Sequence, residues 1–442
     1  MKVAILTDFS YLPSQYGLVP AVLNQMRTLR KFGVQPDLLV MEGFKNHPDA
    51  AKVPSDIKVV NATPFMHLFD YQLGTPEQEY PVGPIGEPPT EGQTAKTNFK
   101  KQVQLATEMY ESILPAYDVV LTHDIIYQTW KLCFNQAMRN VAEKHPNIRW
   151  CHWCHSAPQP RPDDPQYPHS LRFTPMPNST WVSMNDALAQ KLAEQYNIPR
   201  KRVAVVYHQI DLQEGLNLHP LSAEMIDKHN LLEPEILMVC PTRLDHWRGK
   251  RLDKISIFAA QLGKLTTTKL VFLNSWSAGD EAKSSIQQIK DIAIKAGMDE
   301  GDLVFSSEMG KQYLNGVPHQ VVMDLLGISN VFMLASEAET FSLITAEAAI
   351  KKNLLILNDD LAMMHELYGD TALYIPFGSD WGGRRTTRAY QPNEQAFMLD
   401  RAMGVLAELR SNKVLGSQRV ALQHFTDKWV YENQLKPLLI GE

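Results

Sequence analysis

Two glutamates separated by seven residues, Glu339 and Glu347, lie in the segment Ser336–Glu347, Ser-Glu-Ala-Glu-Thr-Phe-Ser-Leu-Ile-Thr-Ala-Glu. An apolar stretch that reads as a buried strand, Asn330–Leu334, precedes them, and a helix is expected over Leu343–Lys351. A helix start presents backbone N–H groups with no intrahelical partner, together with the positive end of the helix dipole, so it suits a phosphate. Glu339 is expected at the helix entrance and Glu347 two turns on, about 12 Å along the axis at a rise of ~1.5 Å per residue. That span matches the reach from a sugar to a ribose across a diphosphate. The plain alternative is a pair of solvated glutamates flanking an ordinary helix start.

Such a segment needs a strand to aim it and a helix to follow it, and the chain supplies that unit repeatedly. Val3–Phe9, Asp37–Met41, Asp118–Thr122, Ile148–Cys154, Thr180–Ser183 and Val203–Tyr207 read as strands, alternating with helices over Val19–Phe32, Ile125–Lys144 and Ala187–Tyr196. After a polar stretch, Gln213–Pro234, the alternation restarts at Ile236–Cys240 and runs to a helix over Ala362–Tyr368. Short apolar strands alternating with amphipathic helices specify parallel sheets covered on both faces. At 442 residues the chain exceeds what one core serves. The expected domains are therefore 1–212 and 213–414, with a terminal helix, 415–442, packing back on the first. Ligands of open parallel sheets bind beyond the carboxyl ends of the strands, and two such sheets facing each other line a cleft. Two proline-rich stretches, Leu73–Gln93 and Ser156–Pro177, interrupt the first domain; long loops of this kind are usually functional or regulatory.

Composition narrows the class. With 44% hydrophobic and 21% charged residues the chain is an ordinary globular one, and a net charge of −6 argues against non-specific coating of nucleic acid. No apolar run reaches the ~18 residues of a membrane span, and Asp8 arrives too early for a secretory leader, so a cytoplasmic location is expected. The four cysteines (Cys133, Cys151, Cys154, Cys240) fit a reduced state. Cys151-His152-Trp153-Cys154-His155 spells a haem-attachment pattern, and its side chains are those of a zinc site. On an extended strand, however, they alternate between faces, and buried structural cysteines are the favoured reading. No metal ligand or cofactor is assigned. The chain has no Gly-x-Gly-x-x-Gly, which counts against a dinucleotide dehydrogenase on the same sheets.

The Glu339/Glu347 pair at a strand–helix junction of the second domain resembles glycosyltransferase family 4 and its retaining relatives. These are GT-B enzymes, whose two Rossmann-like α/β domains face a central cleft. The resemblance implies that Glu339 contacts hydroxyls of the donor sugar near the reacting carbon and that Glu347 binds the ribose. Thr340, Phe341, Ser342 and Leu343 offer backbone amides to the diphosphate, with Thr340 standing where glycine is common. Thr242-Arg243-Leu244 through Lys250-Arg251-Leu252-Asp253 is similar to the family's Arg-Leu…Lys-Arg-Leu-Asp segment. By that likeness Arg243 and Lys250 grip the donor diphosphate and neutralise the charge that develops on it. The intervening loop is longer than the pattern, and Arg248 is the alternative to Lys250. Arg251 and Lys254 read as a solvated helix start.

On the first domain, Tyr11–Gly17 resembles the family's glycine-rich loop, giving Tyr16 and Gly17 acceptor-side places. His155, after strand Ile148–Cys154, resembles the histidine that meets a donor-sugar hydroxyl and the acceptor side. Tyr207–Asp211 stands where the family has Pro-Asn-Gly-Val-Asp, and Phe425 and Trp429 lie in a terminal segment like the one that crosses back in this fold. The expected activity is transfer of a hexosyl or pentosyl group from a nucleotide-diphosphate sugar to an acceptor hydroxyl, with retention and without a metal. The nucleotide sugar is a substrate, and no cofactor is expected. A sugar phosphorylase or nucleotide-sugar epimerase on the same fold is the alternative, and a non-catalytic nucleotide-sugar-binding scaffold is a third. The acceptor stays open among a glycan, a lipid and a hydroxylated DNA base. Arg161, Arg172 and the cluster Arg384–Arg388 are cations that an anionic acceptor would meet, although solvated loop charge is the favoured reading of them.

Overall fold

The computed structural model describes residues 1–7, 17–41, 51, 53, 55, 59–63, 78–81, 94–381, 384–386 and 393–441. They form two compact units, Met1–Asp211 with Phe425–Glu442, and Leu212–His424. Tyr16 lies outside the described residues, as do Thr387 and Arg388 of the arginine cluster.

In the first unit the elements run β1 (Val3–Leu6), α1 (Leu18–Lys31), β2 (Pro36–Met41), β3 (Val59–Thr63), β4 (Gln78–Pro81), β5 (Thr94–Thr97), α2 (Phe99–Ile113), β6 (Val119–His123), α3 (Leu132–Lys144), β7 (Arg149–Trp153), β8 (Ser179–Ser183), α4 (Asp186–Tyr196) and β9 (Val203–Val205). A 7-stranded sheet takes the order β3-β2-β1-β6-β7-β8-β9, every neighbouring pair parallel, and β4 and β5 form a separate antiparallel pair. β1 is buried along its whole length, and its alternate residues feed different cores. Ala4 and Leu6 join one apolar cluster, Val3 and Ile5 the other. A period of two on a sheet covered on both sides produces this division. Asn98 and Asn185 start α2 and α4 by accepting from Lys101 N and Leu188 N at 2.9 and 2.8 Å.

The helix expected over Ile125–Lys144 begins only at Leu132. Asp124 takes a left-handed φ of 56° and turns the chain, so Ile125, Ile126 and Tyr127 are buried in a loop rather than on a helix face. The Asn135 amide, donating to the Ile126 carbonyl, holds that loop. The stretch Ser156–Pro177 is held from within by Arg139. Its buried guanidinium donates to Asn135 Oδ1 (2.8 Å) and to the carbonyls of Leu171 (3.1 Å), Thr174 (2.6 Å) and Pro175 (3.0 Å). Arg161 and Arg172 donate to the carbonyls of Phe173 and Tyr127, so both guanidinium groups brace this loop.

The second unit contains α5 (Leu212–Leu216), α6 (Pro220–His229), β10 (Ile236–Arg243), α7 (Leu252–Gly263), β11 (Thr268–Ser275), α8 (Asp280–Ala296), β12 (Leu303–Phe305), α9 (His319–Ile328), β13 (Val331–Leu334), α10 (Leu343–Ile350), β14 (Leu354–Asn358), α11 (Ala362–Tyr368), β15 (Leu373–Ile375), β16 (Ser379–Trp381), β17 (Arg384–Thr386), α12 (Glu394–Ser411) and α13 (Lys413–His424). Its 6-stranded parallel sheet has the order β12-β11-β10-β13-β14-β15. β10 divides like β1, with Ile236, Met238 and Cys240 in one core and Leu237 and Val239 in the other. The stretch Gln213–Pro234, read from the sequence as a polar boundary between the alternations, is largely helical. Pro220 opens α6, His219 Nδ1 accepts from Leu221 N at 3.1 Å, and left-handed Asn230 closes it.

The return to the first unit comes at Phe425 rather than at 415, because α13 buries Leu415 and Leu422 in the cores of the second unit. From there α14 (Asp427–Val430), a π turn over Tyr431–Leu435 and α15 (Lys436–Ile440) follow. Tyr207 meets Phe425 edge-on at 5.4 Å and stacks with Trp429 at 6.1 Å, while Val430, Tyr431, Leu435 and Leu439 complete a core of the first unit. Among the described residues no helix is long and apolar enough to cross a membrane.

Candidate functional site

At the carboxyl ends of the second unit's strands, a set of buried polar bonds fixes the loops before any ligand is considered. Asn358, fully buried at the end of β14, donates to the carbonyls of Ser336 (2.9 Å) and Gly378 (2.7 Å) and accepts from the N–H groups of Phe377 (3.0 Å) and Asp360 (3.1 Å). Glu337 N donates to the Gly249 carbonyl, and Asp380 N to the Glu337 carbonyl, both at 2.9 Å. Arg251 takes a left-handed φ of 54° that turns its guanidinium inward. It lies 3.2 Å from Glu337 Oε1 and donates to the Phe377 carbonyl at 2.6 Å. Its side chain is only 13% exposed and that of Glu337 5%, so Arg251 clamps the loops after β10, β13 and β15 together. Lys254 is likewise bonded, to Glu394 and, at 3.5 Å, to Asp253. Neither residue is the solvated cation that the sequence suggests.

Inside that frame lies a cavity of about 160 Å³, lined by Thr242, Lys250, Glu339, Ser342, Leu343 and the apolar ends of β10 and β13. Lys250 Nζ meets Glu339 Oε1 at 2.5 Å, with side-chain exposures of 34% and 15%. Thr242 Oγ1 is buried and has no hydrogen-bond partner among the described residues. The first turn of α10 borders the same space, and the side chain of its N-cap, Ser342, does not cap the backbone N–H groups of that turn. Ser342 instead shares a 2.8 Å hydroxyl–hydroxyl bond with Thr345 and sits at φ 63°. The left-handed position of this loop is therefore Ser342, while Thr340 adopts no such conformation. Because α10 starts at Leu343, Glu339 is in the loop and the helical spacing expected for the glutamate pair does not apply. Glu347 is on the helix, its Oε1 2.8 Å from Nε2 of His319 at the first residue of α9. Phe341 and Leu343 are exposed, 51% and 67%.

Arg243 and Arg248 do not line this cavity. Arg243 donates twice to Asp245, at 3.1 and 2.7 Å, and its guanidinium lies 3.6 Å from the centre of the Trp276 ring. Asp245 holds its pKa above the usual arginine value. Arg248 donates to Gln288 Oε1 at 3.2 Å and borders a separate, larger groove of about 620 Å³ with Asp245, Trp247 and Trp276.

In the first unit, His155 lies just past β7, at the carboxyl edge of the sheet. Its Nε2 is 2.9 Å from Nδ1 of His123, the last residue of β6, and His123 Nε2 is 2.9 Å from Gln25 Oε1 on α1. The His155 ring stacks on His208 at 5.2 Å, and its backbone N–H donates to Asp124 Oδ1 at 3.0 Å. Burial pushes the His155 pKa down to about 4 against the pull of Asp124, with His208 and Lys131 adding to the depression. His123 is driven well below the usual histidine value by burial and by His155, His208 and Lys131, and His208 is lowered by burial. Gly17 is the N-cap of α1, with a φ of −56° and no described residue near the position a Cβ would take. Cys151 and Cys154 are buried free thiols; burial pushes the first up to about 12.

No protein-family model and no curated protein matches the chain. Among solved structures it is similar to a glycosyltransferase from Rickettsia africae, at 15% identity over 99% of this chain and 97% of the other, with a TM-score of 0.36. It is also similar to HepE from Anabaena in complex with UDP (12% identity, 100% of each chain, TM-score 0.35). A third is sucrose-phosphate synthase from Thermosynechococcus elongatus (14% identity, 100% of this chain and 99% of the other, TM-score 0.36).

The structure thus brings Lys250, Glu339, Ser342 and Leu343 to one cavity and leaves Arg243, Arg248 and Glu347 bonded elsewhere. Sequence reasoning passed over Thr242, Glu337, His319, His123 and Gln25. A signal was present for His123 alone: an imidazole ending a buried strand, at the edge where parallel sheets bind ligands.

Proposed function

We propose that the protein is a glycosyltransferase and that its second unit binds a nucleotide-diphosphate sugar at the cavity between Lys250, Glu339 and the first turn of α10. The observation that carries the reading is this cavity itself. A cation, a carboxylate and a buried hydroxyl with no partner among the described residues converge beside the first turn of α10, whose N–H groups no N-cap side chain satisfies. Those groups match the needs of a diphosphate joined to a polyol, and the resemblance of Arg243–Asp253 and Ser336–Glu347 to family 4 points the same way. In this structure Glu339 pairs with Lys250. A diphosphate would take over the ammonium and free the carboxylate to accept hydroxyl hydrogens of the sugar.

The reaction breaks the bond from the anomeric carbon to the phosphate oxygen and forms one to the acceptor oxygen on the same face. The acceptor proton leaves with the nucleoside diphosphate. Lys250 stabilises the charge growing on that leaving group, joined by Arg243 once it leaves Asp245, and this replaces a metal in the reading. Glu347 takes the ribose, the backbone of Thr340–Leu343 takes the phosphates, and Arg248 is the reserve cation. His155 orients a sugar hydroxyl, with Gly17 and Tyr16 on the acceptor side.

Release of nucleoside diphosphate that requires an acceptor hydroxyl, and that persists in EDTA, is the expected result. Release on adding inorganic phosphate alone identifies a phosphorylase, and interconversion of sugars without release identifies an epimerase.

A further inference from the structure

The imidazoles at the carboxyl edge of the first unit's sheet are bonded in series, and the series determines where their protons sit. Gln25 is buried on α1, and its Oε1 lies 2.9 Å from His123 Nε2. A carboxamide oxygen only accepts, so Nε2 of His123 carries the hydrogen. A neutral imidazole has one N–H, so His123 Nδ1 is an acceptor. The atom facing it at 2.9 Å, His155 Nε2, must then donate. That leaves Nδ1 of His155 with its lone pair and no partner among the described residues.

The surroundings keep both rings neutral. His123 is 1% exposed and stacked on Trp153 at 5.3 Å; His155 is stacked on His208 at 5.2 Å. Lys131 and His208 oppose a positive charge on either ring. The one anion acting on His155, Asp124, has its Oδ1 engaged by Tyr127 Oη and by the backbone N–H of His155 rather than by a ring nitrogen.

We propose that Gln25 and His123 are positioning residues that lock His155 as its Nε2–H tautomer, so that Nδ1 serves as a hydrogen-bond acceptor for a substrate hydroxyl. The opposite tautomer would present a donor, which any carbonyl, phosphate or hydroxyl oxygen can accept, and would leave the hydroxyl hydrogen without an acceptor there. The lock follows from the bonds within the first unit; the identification of the hydroxyl with a sugar rests on the function proposed above. Neither Gln25 nor His123 touches substrate in this arrangement.

The test is nitrogen-15 spectroscopy of histidine-labelled full-length protein, with His123 and His155 signals identified by loss in His123→Gln and His155→Gln. At pH 7 both rings are expected to show a protonated Nε2 and an unprotonated Nδ1. Gln25→Leu keeps all three imidazoles and removes the acceptor, so His155 should shift toward a mixture of tautomers; Gln25→Asn, which keeps a carboxamide, should restore part of the wild-type signal. UDP-glucose should perturb the His155 Nδ1 signal where UDP alone does not. A doubly protonated or Nδ1–H His155, or one unmoved by Gln25→Leu, overturns the lock. If the tautomers behave as expected and neither nucleotide binds, the lock stands and UDP-glucose is excluded as the donor.

Discussion

Lys250 and Glu339 neutralise each other across 2.5 Å at the edge of the cavity. Removing the ammonium should cost the leaving-group stabilisation: Lys250→Ala is expected to lower kcat by roughly 10²–10³, the usual effect of deleting one donor to developing charge. Arg243 gives a second test at this scale. Its bidentate bond to Asp245 holds it away from the cavity, so Asp245→Asn should release it and tighten nucleoside-diphosphate binding several-fold. Unchanged affinity in a calorimetric titration would remove Arg243 from the donor site.

Buried histidines set the acid response. His152, bonded to Thr122 Oγ1 at 2.8 Å and 3.2 Å from Ser179 Oγ, is pushed by burial down to about 3, and His155 to about 4. A depressed histidine binds its proton more tightly in the unfolded chain. Stability is therefore intact above the unfolded pKa of ~6.5 and falls as pH drops through the window between that value and the folded one. Each ring should cost on the order of 2 kcal/mol between pH 7 and pH 5. Urea unfolding at the two pH values should show that loss, smaller by one such increment in His155→Gln.

Among the elements, the clamp formed by Arg251 and Glu337 is a stability device and should act as one. Leaving either charge buried without its partner costs roughly 3–5 kcal/mol, so Arg251→Met should lower the melting temperature sharply. The clamp was illegible in the sequence because its partners are 86 positions apart, and the same holds for His123 and Gln25 at 98. The strands were legible for the opposite reason: runs such as Val3–Leu6 and Ile236–Cys240 are apolar on both faces, which only a covered parallel strand needs. The loop-to-helix junction at Ser336–Glu347 was placed from the same local pattern. The start of α3 was not, since Ile125 and Ile126 continue an apolar period that the turn at Asp124 and the Asn135 bond interrupt through tertiary contacts.

At the scale of the whole molecule, the first unit depends on a segment that follows the entire second unit in sequence. Val430, Tyr431, Leu435 and Leu439 are buried in its core, and burial of such side chains contributes roughly 1.5–3 kcal/mol each, together comparable with the stability of a domain. Truncation after His424 should abolish the calorimetric transition of the first unit and leave that of the second. A nucleotide sugar should still raise the surviving transition, since a ligand bound only to the folded state stabilises it. The most direct measurement of the central claim is a calorimetric titration of the full-length protein with a panel of nucleotide-diphosphate sugars, repeated on Lys250→Ala and Glu347→Ala. At least one donor is expected to bind with 1:1 stoichiometry and to lose roughly ten- to a hundredfold in affinity in Lys250→Ala, the weight of one charge-assisted bond. A panel in which nothing binds, or a donor whose affinity neither substitution changes, would contradict the assignment of the cavity.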